Sequence, residues 1–255
     1  KDIFLINRTD EFLNEDIAAY AERLNWISGF SGSAGRAIIE TTKAYLFVDG
    51  RYTLQATNQV DPSTFEIKHL IDYWSHIKRY ADENKLIYLD AKLHSVSEVE
   101  KMQSLFSDSS LGFISNPIDL CWYNKPSYPN STAFHHDIKY AGKKSIIKIK
   151  EIQEKLNIAS IDFYLLSSLD SIAWLLNIRG NDIKNTPVLC CYAIIPSQGK
   201  IELFINSKIN HLMKDFENLI NFNPLENIDE FISTIDSKKI FGMDENSTPY
   251  HFKNL

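Results

Sequence analysis

Several residue groups in this chain are of types that build active or binding sites. They are a glycine-serine loop at 29–35, the histidines, a serine pair and a few arginines. The loop reads GFSGSAG. It would cradle phosphate if a strand led into it and a helix led out. Here a helix is expected before it and a strand after, and no Gly-Lys-Ser/Thr follows. The loop therefore reads as a tight crossing where small residues let backbones approach. His69, His76, His94, His135, His136, His211 and His251 show no metal-ligand spacing, and no His-Glu-x-x-His occurs. His135, His136 and Asp137 are adjacent, and adjacent residues rarely face one ion, so they read as solvated linker residues. Asp90 reads as an ordinary strand-end acid, and the acids show no spacing for a catalytic pair. Ser167 and Ser168 lack the context of a nucleophile elbow. No catalytic residue and no metal ligand is assigned.

Arg51 differs in its setting. A strand over 44–48 runs into a tight Asp49-Gly50 turn, and Arg51 opens the helix that follows. Such a residue stands on a rigid corner at one end of a sheet. Its guanidinium can meet a carboxylate through two parallel hydrogen bonds. The spacing leaves two readings open: a ligand contact or, more plainly, a surface salt bridge. Arg179, beside Gly180, could brace an inter-domain contact or do nothing special.

The elements that position these residues follow from apolar periodicity. In the first half, strands are expected at 3–6, 37–40, 44–48, 65–67, 86–89 and 111–114. A helix opening at Asp16 is expected to carry Ile17, Tyr20, Ala21 and Leu24. Further helices are expected over 51–60, through Tyr73, Ile77 and Tyr80, and through Val96, Val99, Met102 and Phe106. Pro126, Pro129, Asn130 and Ser131 then form a linker signal. In the second half, Ser145 and Asp170 are expected to cap helices. Strands are expected at 161–166, 188–195, 201–205 and 239–243, and helices at 209–219 and 228–235. Such alternation predicts layered α/β domains, 1–125 and 126–255. The halves echo one another. Trp26 precedes Gly32 by the interval that separates Trp174 from Gly180, and each glycine leads to a strand-turn-strand unit. One fold used twice is the expectation.

Bulk properties narrow the class. The chain has 255 residues, 44% hydrophobic and 24% charged, with net charge −6. That suits a soluble protein of two domains. Interspersed charges with an acidic balance exclude nucleic acid as the main partner. No apolar run reaches the length of a membrane span. Cys121, Cys190 and Cys191 are too few for a disulfide framework, and a reducing compartment is expected. The N-terminus shows neither a signal-peptide pattern nor an initiator Met, which reads as a fragment.

Three ordered stretches resemble the N-terminal part of the Xaa-Pro aminopeptidase (aminopeptidase P) family. They are WISGFSGSAG at 26–35, LFVDGRY at 46–52 followed by Leu54-Gln55-Ala56, and the segment 169–194. The last resembles the second domain of the family's long, three-domain branch, and NPIDLCW at 116–122 resembles the inter-domain connector. The resemblance implies two creatinase-type N-terminal domains of similar fold, each a mixed sheet flanked by helices with a ribonuclease H-like motif. It implies a C-terminal pita-bread domain, absent from these residues, that holds two divalent metals, usually manganese. That domain would cleave the bond between an N-terminal residue and a following proline. The resemblance also implies a cytoplasmic homodimer and a substrate contact from Arg51. Two other functions fit the same family: a peptide- or protein-binding module of a catalytically dead relative, and a free-standing dimerisation module.

Overall fold

Alternating burial along a central strand sets the architecture of the first half. In the computed structural model, which describes residues 2–106, 110–209, 212, 216 and 218–255, strand β1 (Asp2–Asn7) buries Ile3 and Leu5 on one face and Ile6 on the other. It pairs antiparallel with β2 (Gly35–Ile39), which continues antiparallel to β3 (Ala44–Val48); β3 in turn runs parallel to β4 (Phe65–His69). On its other side β1 runs parallel to β5 (Leu86–Leu89), which pairs with β6 (Leu111–Phe113). The six-stranded order is β4-β3-β2-β1-β5-β6.

Both faces are covered. One carries Ile6, Ala37, Leu46 and Val48 against residues of α1 (Arg23–Ser28), α2 (Thr53–Gln59) and α5 (Ile118–Cys121). The other buries Ile38, Tyr45 and Phe47, and α3 (Tyr73–Asp82) and α4 (Val96–Gln103) contribute Tyr73, Ile77, Val99 and Met102. Phe47 meets Tyr73 edge-on at 5.4 Å. Sheet faces of this size, shielded by helices, account for most of the burial that holds such a unit together.

The second half repeats the plan. It opens on β7 (Phe134–His135), which pairs with the short β9 (Ile178–Arg179), and on α6 (Ile138–Ala141). The sheet proper is built from β8 (Phe163–Leu166), β10 (Cys191–Pro196), β11 (Ile201–Ile205), β12 (Ile220–Asn223) and β13 (Phe241–Met243). Its order is β12-β11-β10-β8-β13. The β8–β10 and β10–β11 pairs are antiparallel, and β11–β12 and β8–β13 are parallel. Matching β8, β10, β11, β12 and β13 to β1, β2, β3, β4 and β5 reproduces the order and every direction, so the expected duplication is a duplicated sheet. Its core includes Leu156 of α7 (Ser145–Ile158) and Ile172, Leu175 and Leu176 of α8 (Leu169–Leu176). A last helix, α9 (Ile228–Ser233), follows β12. The chain divides into two compact units: 2–11 with 15–127, and 12–14 with 128–255.

Several local expectations are corrected. No helix opens at Asp16. A 3₁₀ turn at Ala19–Ala21 precedes α1, because Ala18 and Glu22 have non-helical backbones. Tyr20, Ala21 and Leu24 are still buried, as their spacing requires. Ser145 does not cap α7: Lys144 occupies the extended cap position and Ser145 is the first helical residue, buried. Ser168, not Asp170, precedes α8, and the Asp170 carboxylate accepts from Ser168 Oγ and, at 2.8 Å, from Ser171 N. Strand β10 begins at Cys191 rather than 188, because the Cys190 N–H donates to the Asp182 carboxylate at 2.8 Å instead of to a ladder partner. The helix expected at 209–219 falls largely outside the described residues, as does His211.

Candidate functional site

Arg51 sits where the sequence places it, at the turn that leaves β3. Asp49 is extended and caps a 3₁₀ turn over Gly50–Tyr52 that runs into α2. Its Oδ1 accepts the Arg51 backbone N–H at 3.0 Å and the Arg51 Nε–H at 2.8 Å. A carboxylate at the start of a helical turn is favoured by the free N–H groups there. Those two bonds, side chain first, hold the Asp49 carboxyl below its ordinary range, and the side-chain bond raises the Arg51 guanidinium. The Arg51 side chain remains 72% exposed. The structure thus shows a surface ion pair at this corner, with the arginine still open to solvent.

The glycine-serine loop lies against the same corner. Ser33 Oγ and Tyr52 Oη are hydrogen-bonded at 2.6 Å. Ser31 N donates to Gln59 Oε1 at 3.0 Å, and Gln55 and Gln59 both donate to Ser31 Oγ. Arg8 Nη1 donates to the Ser33 carbonyl at 3.3 Å. Gly29 has φ +76°, and a Cβ there would come within 3.2 Å of the Gln59 carbonyl, the close backbone approach expected of a small residue. At Gly32 the neighbour is a side chain instead, since a Cβ would fall 2.2 Å from Phe30 Cζ. The loop folds over the Phe30 ring, and its Phe30 and Ser31 N–H groups are taken by Ser28 Oγ and Gln59 Oε1.

The other candidate groups are not brought to this corner. Arg179 Nη1 donates to the carbonyls of Ala173 and Ile178 at 2.7 and 2.8 Å, which ties down the end of α8. Cations suit a helix C-terminus, and buried Lys148 adds bonds to the Trp174 carbonyl and Asn177 Oδ1. His94 is buried, and burial pushes its pKa down. Asp90 accepts backbone N–H groups from Lys92 and Asn116. Ser167 Oγ donates to the Ser247 carbonyl. Among the described residues, no group of three or more His, Cys, Asp or Glu side chains gathers to hold a metal ion.

Sequence reasoning missed two groups. One is the contact between Ser33 and Tyr52, which no local pattern in either stretch marks. The other is Asp182, whose carboxylate is buried in the loop before β10 and accepts Ser131 N at 2.9 Å, Cys190 N at 2.8 Å and Ser207 Oγ at 2.8 Å.

Comparison with known proteins places this chain in a family. Two family models, each described as a creatinase/prolidase N-terminal domain, match the chain, one over residues 2–121 and the other over 124–255. A probable Xaa-Pro aminopeptidase P of Laccaria bicolor is 34% identical over 212 residues, 80% of this chain and 33% of that protein. A probable Xaa-Pro aminopeptidase P of Paracoccidioides lutzii is 33% identical over 238 residues, 90% of this chain and 39% of that protein. The chain therefore spans well under half the length of these relatives. Among solved structures, the X-prolyl aminopeptidase of Caenorhabditis elegans, described as a cytosolic enzyme with a di-nuclear active site, aligns with TM-score 0.82 at 26% identity. That alignment covers 91% of this chain and 39% of that one. With one match on each duplicated sheet, the chain belongs to the creatinase/prolidase N-terminal domain family and carries two such domains in tandem.

Proposed function

We propose that this chain is the non-catalytic N-terminal region, domains 1–125 and 126–255, of a metal-dependent Xaa-Pro aminopeptidase that removes the N-terminal residue preceding proline. The observation that carries this is the likeness to the worm X-prolyl aminopeptidase over 91% of the chain at TM-score 0.82. The 34% identity to a probable Xaa-Pro aminopeptidase P supports it. Two divalent metals, manganese by family resemblance, would be held by a further domain and would supply a metal-bound nucleophile and charge stabilisation there. This chain would supply a substrate contact through Arg51 and contacts between the subunits of a cytoplasmic homodimer. Its substrates would be short peptides with proline at the second position.

At the Asp49–Arg51 corner, the guanidinium is oriented, charged at all working pH and exposed. A short peptide carries a carboxylate and several carbonyl oxygens that such a group can take. The test is hydrolysis of a short Xaa-Pro peptide. The full-length protein should release the first residue. The 255-residue chain alone should not, even with added manganese. Arg51→Ala in the full-length protein should weaken substrate use and leave the metal content intact. Metal-dependent turnover by this chain alone would overturn the reading, and light scattering that finds only monomers would remove the dimer contact.

A further inference from the structure

We propose that Asp49 and Tyr52 are positioning residues for Arg51, and that the 29–35 loop acts as a bracket that holds Tyr52. The inference rests on the substrate role proposed for Arg51 and says what makes that arginine usable.

A free arginine side chain samples many rotamers, and ordering it on binding costs affinity. Here it is ordered from two sides. Asp49 Oδ1 holds both the backbone N–H and the Nε–H of Arg51. That uses the inner edge of the guanidinium, while neither Nη has a hydrogen-bond partner among the described residues. The outer edge, with its parallel donors, is therefore left facing outward. The turn that sets this spacing is tight on one side: a Cβ at Gly50 would lie 3.1 Å from His69 Nε2, so a larger residue would make the imidazole give way.

Tyr52 supplies the second side. Its ring centre is 5.5 Å from Arg51 Cζ, a cation–π distance. The ring itself cannot swing freely. Its hydroxyl is bonded to Ser33 Oγ, and the ring meets Phe30 in a T-shaped contact at 5.9 Å and 79°. Phe30 is fully buried, and the absence of a Cβ at Gly32 lets the loop close over it. The chain of support runs from Gly32 through Phe30 and Ser33 to Tyr52, and from Tyr52 to Arg51. This gives the glycine-serine loop a physical task at the Arg51 corner, and the Ser33–Tyr52 bond and the Phe30–Tyr52 contact join the 26–35 and 46–52 stretches.

The test is steady-state kinetics of the full-length protein on a short Xaa-Pro peptide, with Asp49→Asn and Tyr52→Phe made alone and in the Arg51→Ala background. Asn keeps the helix cap and removes the charge. Phe keeps the ring and removes the Ser33 bond. Each single variant should raise KM about two- to five-fold, the range expected for an exposed ion pair or one lost hydrogen bond, with kcat changing less than KM. In the Arg51→Ala background neither should raise KM further. A structural role would persist in that background, and equal KM effects there would overturn the inference. So would a normal KM in both single variants while Arg51→Ala alone raises it. If Arg51→Ala leaves KM unchanged, the substrate role of Arg51 falls, and this inference with it.

Discussion

Removal of the Asp182 carboxylate should be among the most damaging single changes in the second unit. Asp182 is 6% exposed, and its carboxylate accepts three hydrogen bonds, from Ser131 N, Cys190 N and Ser207 Oγ. Those donors belong to separate stretches of chain, so one carboxylate fastens the loop before β7, the entry to β10 and the exit of β11. Asp182→Ala removes the carboxylate that the buried Cys190 N–H donates to, and losing a buried hydrogen bond to a charged group costs about 1.5–3 kcal/mol. The Ser131 amide is half-buried and can recruit water, and the Ser207 hydroxyl can rotate toward another acceptor, so each adds less. The expected loss is about 2–5 kcal/mol, large against the stability of an ordinary domain. Asp182→Asn keeps one acceptor but turns an NH₂ toward a donor, so it should lose less than Ala. Ser207→Ala removes a single bond and should cost about 0.5–1.5 kcal/mol. Because both remove the same Ser207–Asp182 hydrogen bond, Asp182→Ala and Ser207→Ala together should cost less than their sum. Urea unfolding followed by circular dichroism gives the magnitudes. Hydrogen exchange of peptides over 188–196 gives the location, since loss of the bolt should deprotect that stretch first. If Asp182→Ala stays within about 0.5 kcal/mol of the parent and 188–196 exchanges as before, the bolt assignment is wrong.

Gly180→Ala should lose about 1–3 kcal/mol by overpacking, because its Cβ would fall 2.0 Å from Leu189 Cδ2 in the core; an unchanged melting temperature would contradict this. Asp119 titrates in a pH window that can be read from its surroundings. Burial pushes its pKa up, but bonds from Arg23 and Lys125 outweigh that and leave it lowered. A carboxyl depressed on folding stabilises above its unfolded pKa, about 3.9, and that contribution is lost as pH falls through the folded value. The melting-temperature gap between the parent and Asp119→Asn should therefore close below about pH 4, and a gap constant from pH 7 to 3 would refute the assignment. A thiol reagent should label Cys121 in the native chain and reach Cys190 and Cys191 only on unfolding, since the latter two are buried and burial pushes the Cys191 thiol up; fast labelling of all three would count against the packing of β10.

What could be read in the sequence was whatever short-range periodicity controls. The strand at 44–48 and the helix through Tyr73, Ile77 and Tyr80 were predictable because alternation and helical spacing decide burial within a few residues. The Arg51 corner was readable for the same reason, since strand, turn and helix are contiguous. The caps were misplaced by a residue or more because Lys144 holds its extended cap geometry with no side-chain bond. Nothing local marks such a position. The partners of Tyr52 and Asp182 were hidden because Ser33 lies 19 residues from Tyr52, and Ser131 lies 51 from Asp182. Pairings of that range are set by how the sheet closes, not by spacing along the chain.

The duplicated sheet permits one comparison that neither half allows alone. The exit of β3 in the first unit corresponds to the exit of β11 in the second. In the first, Asp49 and Arg51 pair on the surface and leave the arginine outward. In the second, the same place is stitched to its own unit: Asn206 Oδ1 accepts Leu225 N, Ser207 is buried on Asp182, and Lys208 exchanges backbone hydrogen bonds with Ser131 and Ala133. The loop before the second strand diverges in the same way. In the first unit it braces Tyr52 through Ser33, and in the second it carries Asp182, which closes the unit. Identical topology thus yields one corner that presents a charged side chain and one that spends its polar groups internally. Of the two corners, a contact with anything outside the chain is better sought at the first, because its guanidinium keeps oriented hydrogen-bond donors facing solvent.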